Sequence, residues 1–358
     1  MTKLVYLIFL TLFTSSNVIA SETKGVITTI QPINSLVSAV IGNTGKSVSL
    51  IPAEISPHEY KLKPSDAKKL QEGNIIFYVS NHLESSVTKV FENLPKNIKI
   101  INLMEESEIN HLEIRDNEAW ERHDHHGHDD HDDHDKHGKK HDDHDDHDKH
   151  SKKHDDHDDH DKHGKKHDDH DDHDKHGKKH DDHDDHEIED DVHIWLSPDN
   201  AIKIITKIKK ELSLYFPENA SIYNQNATKF IAKINNLKKE LTQELSPIKD
   251  KPYVVFHDAY QYFEKTFGLN AVGSVALEGD IASSPKQISF IKDKIVKLKA
   301  SCVFQEPQFD SKLVKIVVEG TKAKIGTLDP LGVNVSGKED FYLQLLRNMS
   351  KSLKECLG

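Results

Sequence analysis

The chain has 358 residues, a formal net charge of −13, and 27 histidines against two cysteines. The acidity is local: residues 128–186 hold 24 Asp and 12 Lys, a net of −12. The remainder is therefore nearly neutral and lacks the basic stripe that nucleic-acid binding requires. Two cysteines also exclude a thiolate metal cage.

The chain opens MTKLVYLIFLTLFTSSNVIA, with Lys3, an apolar run from Leu4 to Phe13, and small residues around Val18 and Ala20. This pattern predicts a cleaved secretory signal over residues 1–20. Its apolar core is too short to span a bilayer, and no later run approaches 18 apolar residues, so direct membrane insertion is not expected. No cysteine lies near the cleavage point, which argues against a lipid anchor. In an oxidising compartment a disulfide is the default fate of Cys302 and Cys356. It would close a loop of roughly 55 residues and contribute about 4 kcal/mol; two free thiols are the alternative.

After the signal, GVITTI, VSLIPA, IIFYVS and IKIINL are short β-branched runs bounded by turn residues and read as strands. Pro32 begins a helix through Ile41, and PSDAKKLQEG is a second, with Pro64 in its first turn and Gly73 at its stop. A 13-residue repeat, HDDHDDHDKHGKK, then starts at His128, recurs at His141, His154 and His167, and ends in a partial copy at His186. Having no apolar residue, it cannot form a core and is expected to be disordered when metal-free.

A long helical region is predicted from Asp199 to Leu245, with Phe230, Ile234, Leu237 and Leu241 at helical spacing before Pro247. Four more strands follow in YVVF, AVGSVA, CVFQE and AKIGTL. Between them, PKQISFIKDKIVKLKA places Ile288, Ile291, Ile295 and Leu298 on one helical face. The expected class is α/β: two lobes, each a four-stranded, mainly parallel sheet flanked by helices, joined by one long linker helix. The expected boundaries are a signal at 1–20, an N-terminal lobe at 21–122 completed by 191–215, and an insertion at 123–190. The linker is expected at 216–246 and the C-terminal lobe at 247–358.

Of the histidines, 22 lie between His123 and His186, leaving His58, His82, His111, His193 and His257. His58 follows the strand VSLIPAEIS, His193 precedes a helix start at Ser197 and Pro198, and His257 ends the strand YVVF. Open α/β sheets place ligands in the loops beyond the carboxyl ends of their strands, where Asp329 of IGTLDPLG also falls. Three imidazoles with a carboxylate or water make a tetrahedral zinc site, whereas manganese and calcium prefer oxygen-rich shells. His82 and His111 read as surface residues, Trp195 and the aromatics of YQYFEKTF as packing residues. Glu306 is read either as an ion-pair partner at the cleft or as the partner of a surface lysine.

Taken together, HEYKLKPSDAKKLQ, the His-rich acidic insertion, HIWLSPDNA, FHDAYQYFEKTFGL, CVFQEPQF and GTLDPLG resemble the periplasmic zinc-binding proteins of high-affinity zinc ABC importers, the ZnuA type of the cluster A-I metal receptors. The resemblance covers essentially the whole mature chain. It implies two α/β lobes linked by one long helix, with zinc(II) in the cleft between them. The family's three ligand histidines fall on His58, His193 and His257, and its aspartate position on Asp329, either a ligand or replaced by water. The glutamate that some members carry just before the first histidine is Pro57 here, with Glu59 on the other side. Manganese-type relatives tend to have glutamate where this chain has His257. The family's disulfide maps onto Cys302 and Cys356.

The implied function is a non-enzymatic, monomeric periplasmic receptor that delivers zinc to an inner-membrane permease driven by a cytoplasmic ATPase. The repeat would add low-affinity capacity through histidines such as His128, His131, His134, His137, His141, His144 and His147. A flexible chain must be ordered on binding, at about 1–2 kcal/mol per fixed residue, so each of its sites should be weaker than a preformed cleft. Three rivals remain at this stage: a storage protein acting mainly through the tract, a manganese or iron receptor, and a zinc hydrolase. No HExxH motif supports the last.

Overall fold

The computed structural model describes residues 22–115, 190–276, 285–336 and 340–358. The expected signal and the repeat tract lie outside them. The β-branched runs become two sheets. In the first, β1 (Thr23–Thr28), β2 (Gly45–Ser49), β3 (Ile75–Tyr78) and β4 (Lys99–Asn102) are parallel, in the order β2-β1-β3-β4. In the second, β5 (Tyr253–Val255), β6 (Ala271–Ser274), β7 (Cys302–Gln305) and β8 (Lys324–Thr327) are parallel, in the equivalent order β6-β5-β7-β8. Every residue of β3 and β5 is buried, which is why these runs show no polar alternation in the sequence. In both sheets the first strand sits between the second and third, so the connections diverge there and open a crevice at the carboxyl ends.

The helices are α1 (Gln31–Ile41), α2 (Pro64–Gln71), α3 (Ser85–Thr88), α4 (Pro198–Tyr215), α5 (Ala220–Leu245), α6 (Gln261–Phe267), α7 (Pro285–Lys297), α8 (Lys312–Val318) and α9 (Phe341–Leu357). The predicted helical region from Asp199 to Leu245 is interrupted. Pro217 disfavours helical geometry at the residue before it, and Phe216 accordingly leaves the helix at φ −125° and ψ 69°. The rod is therefore α5 alone, 26 residues and about 39 Å long. Tyr223, Ala227, Phe230, Ile234, Leu237, Leu241 and Leu245 form its buried face, and it packs on α1, α4 and α9.

At its start, Tyr223 Oη and Thr23 Oγ1 are 2.6 Å apart, which pins the rod to β1. One apolar core runs through both sheets and α5. A smaller one holds Val254, Val303 and Val314 under α7, whose Ile291 and Ile295 point inward as the periodicity predicted. The disulfide Cys302–Cys356 joins the first residue of β7 to the last turn of α9, with 6.2 Å between the Cα atoms.

Candidate metal centre

Three loops converge. His58 lies in the loop after β2, where successive turns close from Ile55 N–H to Pro52 O and from Glu59 N–H to Ser56 O. His193 enters through a short bridge between Glu113 and Asp190, and Asp191 N–H donates to Leu112 O at 2.7 Å. A single 3-10 turn, Ile194–Leu196, then leads to α4, whose first turn is capped by Ser197 Oγ accepting from Asn200 N–H. His257 lies just beyond β5. Residues 58, 193 and 257 are thus far apart in the chain, but His193 Nε2 is 3.3 Å from His58 Nε2 and 3.4 Å from His257 Nε2. Among the described residues, these three are the group whose donor atoms converge tightly enough to hold one ion.

The back of two rings is fixed. His193 Nδ1 is 2.7 Å from Asp191 Oδ1, and His257 Nδ1 is 2.7 Å from Glu306 Oε1. A carboxylate in its ionised form only accepts, and against that form each Nδ1 carries the proton and each Nε2 turns a lone pair toward the centre. Lone pairs facing one another at 3.4 Å repel, and a cation between them removes the repulsion. The spacing suits a particular cation geometry. With zinc–nitrogen bonds of about 2.05 Å, the edge of a tetrahedron is about 3.3 Å.

Burial, then the charges of His193 and His257, hold the His58 imidazole well below its ordinary pKa of 6.5. The neutral, ligating form is therefore favoured. Burial also pushes the Asp191 carboxyl up to about 7, against the opposing pull of the His193 amide and the Arg115 charge. The remaining space in the pocket is about 10 Å³, enough for one ion or water. Its walls include Pro57, Trp195, Phe309 and Leu331. Trp195 is buried, and its Nε1–H donates to Pro330 O at 2.9 Å, so it ties the His193 turn to the loop after β8.

The two carboxylates expected as further ligand candidates are placed differently. Asp329 accepts from Gly332 N–H at 2.8 Å and Asn334 N–H at 3.0 Å, within its own loop. Gly332 has φ +82°, a conformation that turns its amide toward Asp329 and that a side chain would strain. Glu59 is exposed. His82 is also exposed, and His111 pairs with Asp190 at 2.8 Å at the edge of the insertion.

The profile of the family described as "ZnuA: Zinc-uptake complex component A periplasmic" matches residues 26–356. The chain belongs to this family. A Brucella suis relative, "High-affinity zinc uptake system protein ZnuA", is 41% identical over 340 residues, covering 95% of this chain and 93% of the relative. A Haemophilus ducreyi protein of the same name is 34% identical, covering 93% of each chain. The fold is shared with solved structures. "Crystal structure of ZnuA" aligns at TM-score 0.66 and 19% identity over 95% of this chain and all of that one. The laminin-binding adhesin Lmb of Streptococcus agalactiae aligns at the same TM-score and identity over 94% of this chain and all of that one.

Sequence reasoning passed over Asp191. It stands two residues before His193 in EDDVHIWL, and a run of acids beside a tract of acids gives no local signal. Glu306, for which the sequence left open a cleft ion pair or a surface lysine, accepts from His257 across 49 residues of chain.

Proposed function

We propose that this protein is a periplasmic receptor that captures zinc(II) between His58, His193 and His257 and delivers it to an ABC permease for high-affinity uptake. The observation that carries this reading is that His193 Nε2 lies 3.3 and 3.4 Å from the Nε2 atoms of His58 and His257, close to a tetrahedral edge, with the His193 and His257 rings aimed by Nδ1–carboxylate bonds. The names of the relatives agree with it. The opening residues supply an export signal, and no described helix is long and apolar enough to cross a membrane. The protein acts as a monomer, without catalysis, and a cytoplasmic ATPase drives the permease. The fourth coordination position belongs to water, since Asp329 is engaged by loop amides and Glu59 is exposed. The histidines of the tract add weaker capacity.

Deleting residues 123–186 tests this reading by calorimetric zinc titration. One tight equivalent is expected to survive, with the weaker equivalents gone. Loss of the tight equivalent would transfer the function to the tract and make the protein a metal store.

A second expectation concerns pH. The folded state depresses the pKa of His58, so its contribution to stability is complete above 6.5 and is lost as pH falls from 6.5 toward the folded value. For binding, this means that His58 has less of a proton to release in mild acid than an ordinary histidine. Histidines of ordinary pKa, as expected in the tract, are about three-quarters protonated at about pH 6. After equilibrium dialysis at pH 6.0 the full-length protein is expected to keep about one zinc while losing most of the rest. Parallel loss of all zinc between pH 7.5 and 6.0 would contradict it.

A further inference from the structure

Residues on either side of the insertion are held by one network that also reaches two of the three ligand histidines. On the entering side, Leu112 N–H donates to Tyr262 Oη at 3.2 Å, and Gln261 Nε2 donates to Glu113 O at 3.0 Å. On the returning side, Tyr262 Oη–H donates to Asp191 O at 2.9 Å, and Gln261 Nε2 lies 3.4 Å from Asp191 Oδ2. The first turn of α6 therefore grips both limbs, and Asp191 in turn orients His193.

Arg115 completes the network. Its Nε donates to Asp258 Oδ2 at 2.8 Å, its Nη2 pairs with Asp258 Oδ1, and its Nη1 donates to Glu264 Oε2 at 2.7 Å. The three side chains are 19%, 18% and 5% exposed. Asp258 directly follows His257, and Glu264 lies on α6. A planar fork on two carboxylates fixes orientation as well as charge, which an ammonium cannot reproduce.

We infer that Arg115 is a positioning residue for zinc binding: by clamping Asp258 and Glu264 it fixes the His257 loop, and through α6 it fastens Asp191 and His193 to the base of the insertion. The inference rests on the cleft reading above. Arg115 touches no metal itself. Its effect is to keep two Nε2 atoms on their converging course, so its loss is felt as weaker and faster-exchanging zinc.

The test uses the full-length protein and follows zinc transfer to a chelator, taking the last, slow equivalent as the cleft. Arg115→Met removes the cation from the buried Glu264 and the part-buried Asp258 carboxylates and is expected to lower apo stability as well as affinity. The triple variant Arg115→Met, Asp258→Asn, Glu264→Gln removes all three charges. It is expected to melt close to wild type in the apo state, while binding zinc about 10-fold more weakly and releasing it correspondingly faster. Arg115→Lys keeps the charge without the fork and is expected to fall between this variant and the wild type. Wild-type affinity and release rate in either the triple variant or Arg115→Lys would overturn the inference. His257→Ala separates it from the reading beneath it. If the slow equivalent survives that change, the cleft reading fails. Loss there, with wild-type kinetics in the Arg115 variants, removes only the role given to Arg115.

Discussion

His257→Ala in the tract-deleted protein is expected to weaken the tight zinc site by about 100- to 1000-fold. Structural zinc sites with four ligands have apparent binding free energies of about 10–16 kcal/mol, so one ligand accounts for roughly 3–4 kcal/mol of that. The substitution also leaves Glu306, whose side chain is fully buried, without the ring N–H it accepts. Glu306→Gln separates the two contributions. It keeps the imidazole but replaces the carboxylate that fixes its tautomer, and a change of this kind typically costs 10- to 100-fold. The ordering wild type, then Glu306→Gln, then His257→Ala is the expected result in a calorimetric or competition titration. A tight site that persists in His257→Ala would remove that residue from the ligand set.

Replacing both Cys302 and Cys356 with alanine is expected to lower stability by about 4 kcal/mol, because the bridge closes a sequence separation of 54 residues. For a domain of this size, that corresponds to a fall in Tm of roughly 10 °C. The effect has a structural focus. Cys302 opens β7, an internal strand of the second sheet, and Cys356 lies in the last turn of α9, which packs on both α5 and β8. Glu306 stands just past the other end of β7, so the strand that the bridge anchors also presents the partner of His257. Zinc bound only to the folded state should recover part of the loss by mass action. Coincident melting curves for oxidised and reduced apo protein would show that packing alone holds α9 in place.

The lobes should move little on binding. A 26-residue helix buried along one face is a stiff connection, and α9 packs against α1 and α5 as well as β8. On the proposed function, ordering of the three histidine loops is the change available for a permease to sense.

The sequence by itself determined the elements and their class. The fully buried strands β3 and β5 are legible as short apolar runs, and seven of the eight quoted runs coincide with strands. VSLIPA meets β2, Gly45–Ser49, only at Val48 and Ser49, because this edge strand is half exposed and carries no continuous apolar signal. Placement after strands marked His58 and His257, because parallel topology puts every strand's carboxyl end at the same edge, and His193 was marked by its place just before a helix start. Pro217 was visible too, although the strong apolar periodicity on both sides hid the break it imposes between α4 and α5.

Tertiary structure decided what depends on distance. Whether Glu306 meets a lysine or an imidazole, whether Asp329 faces a cleft or its own loop amides, and that Arg115 reaches across 143 and 149 residues to Asp258 and Glu264 are outcomes of how two sheets are docked. Residue type and spacing fix which groups can ligate. Only the closure of the chain brings His193 Nε2 to 3.3 Å from His58 Nε2 and 3.4 Å from His257 Nε2, and that is the arrangement a cation completes.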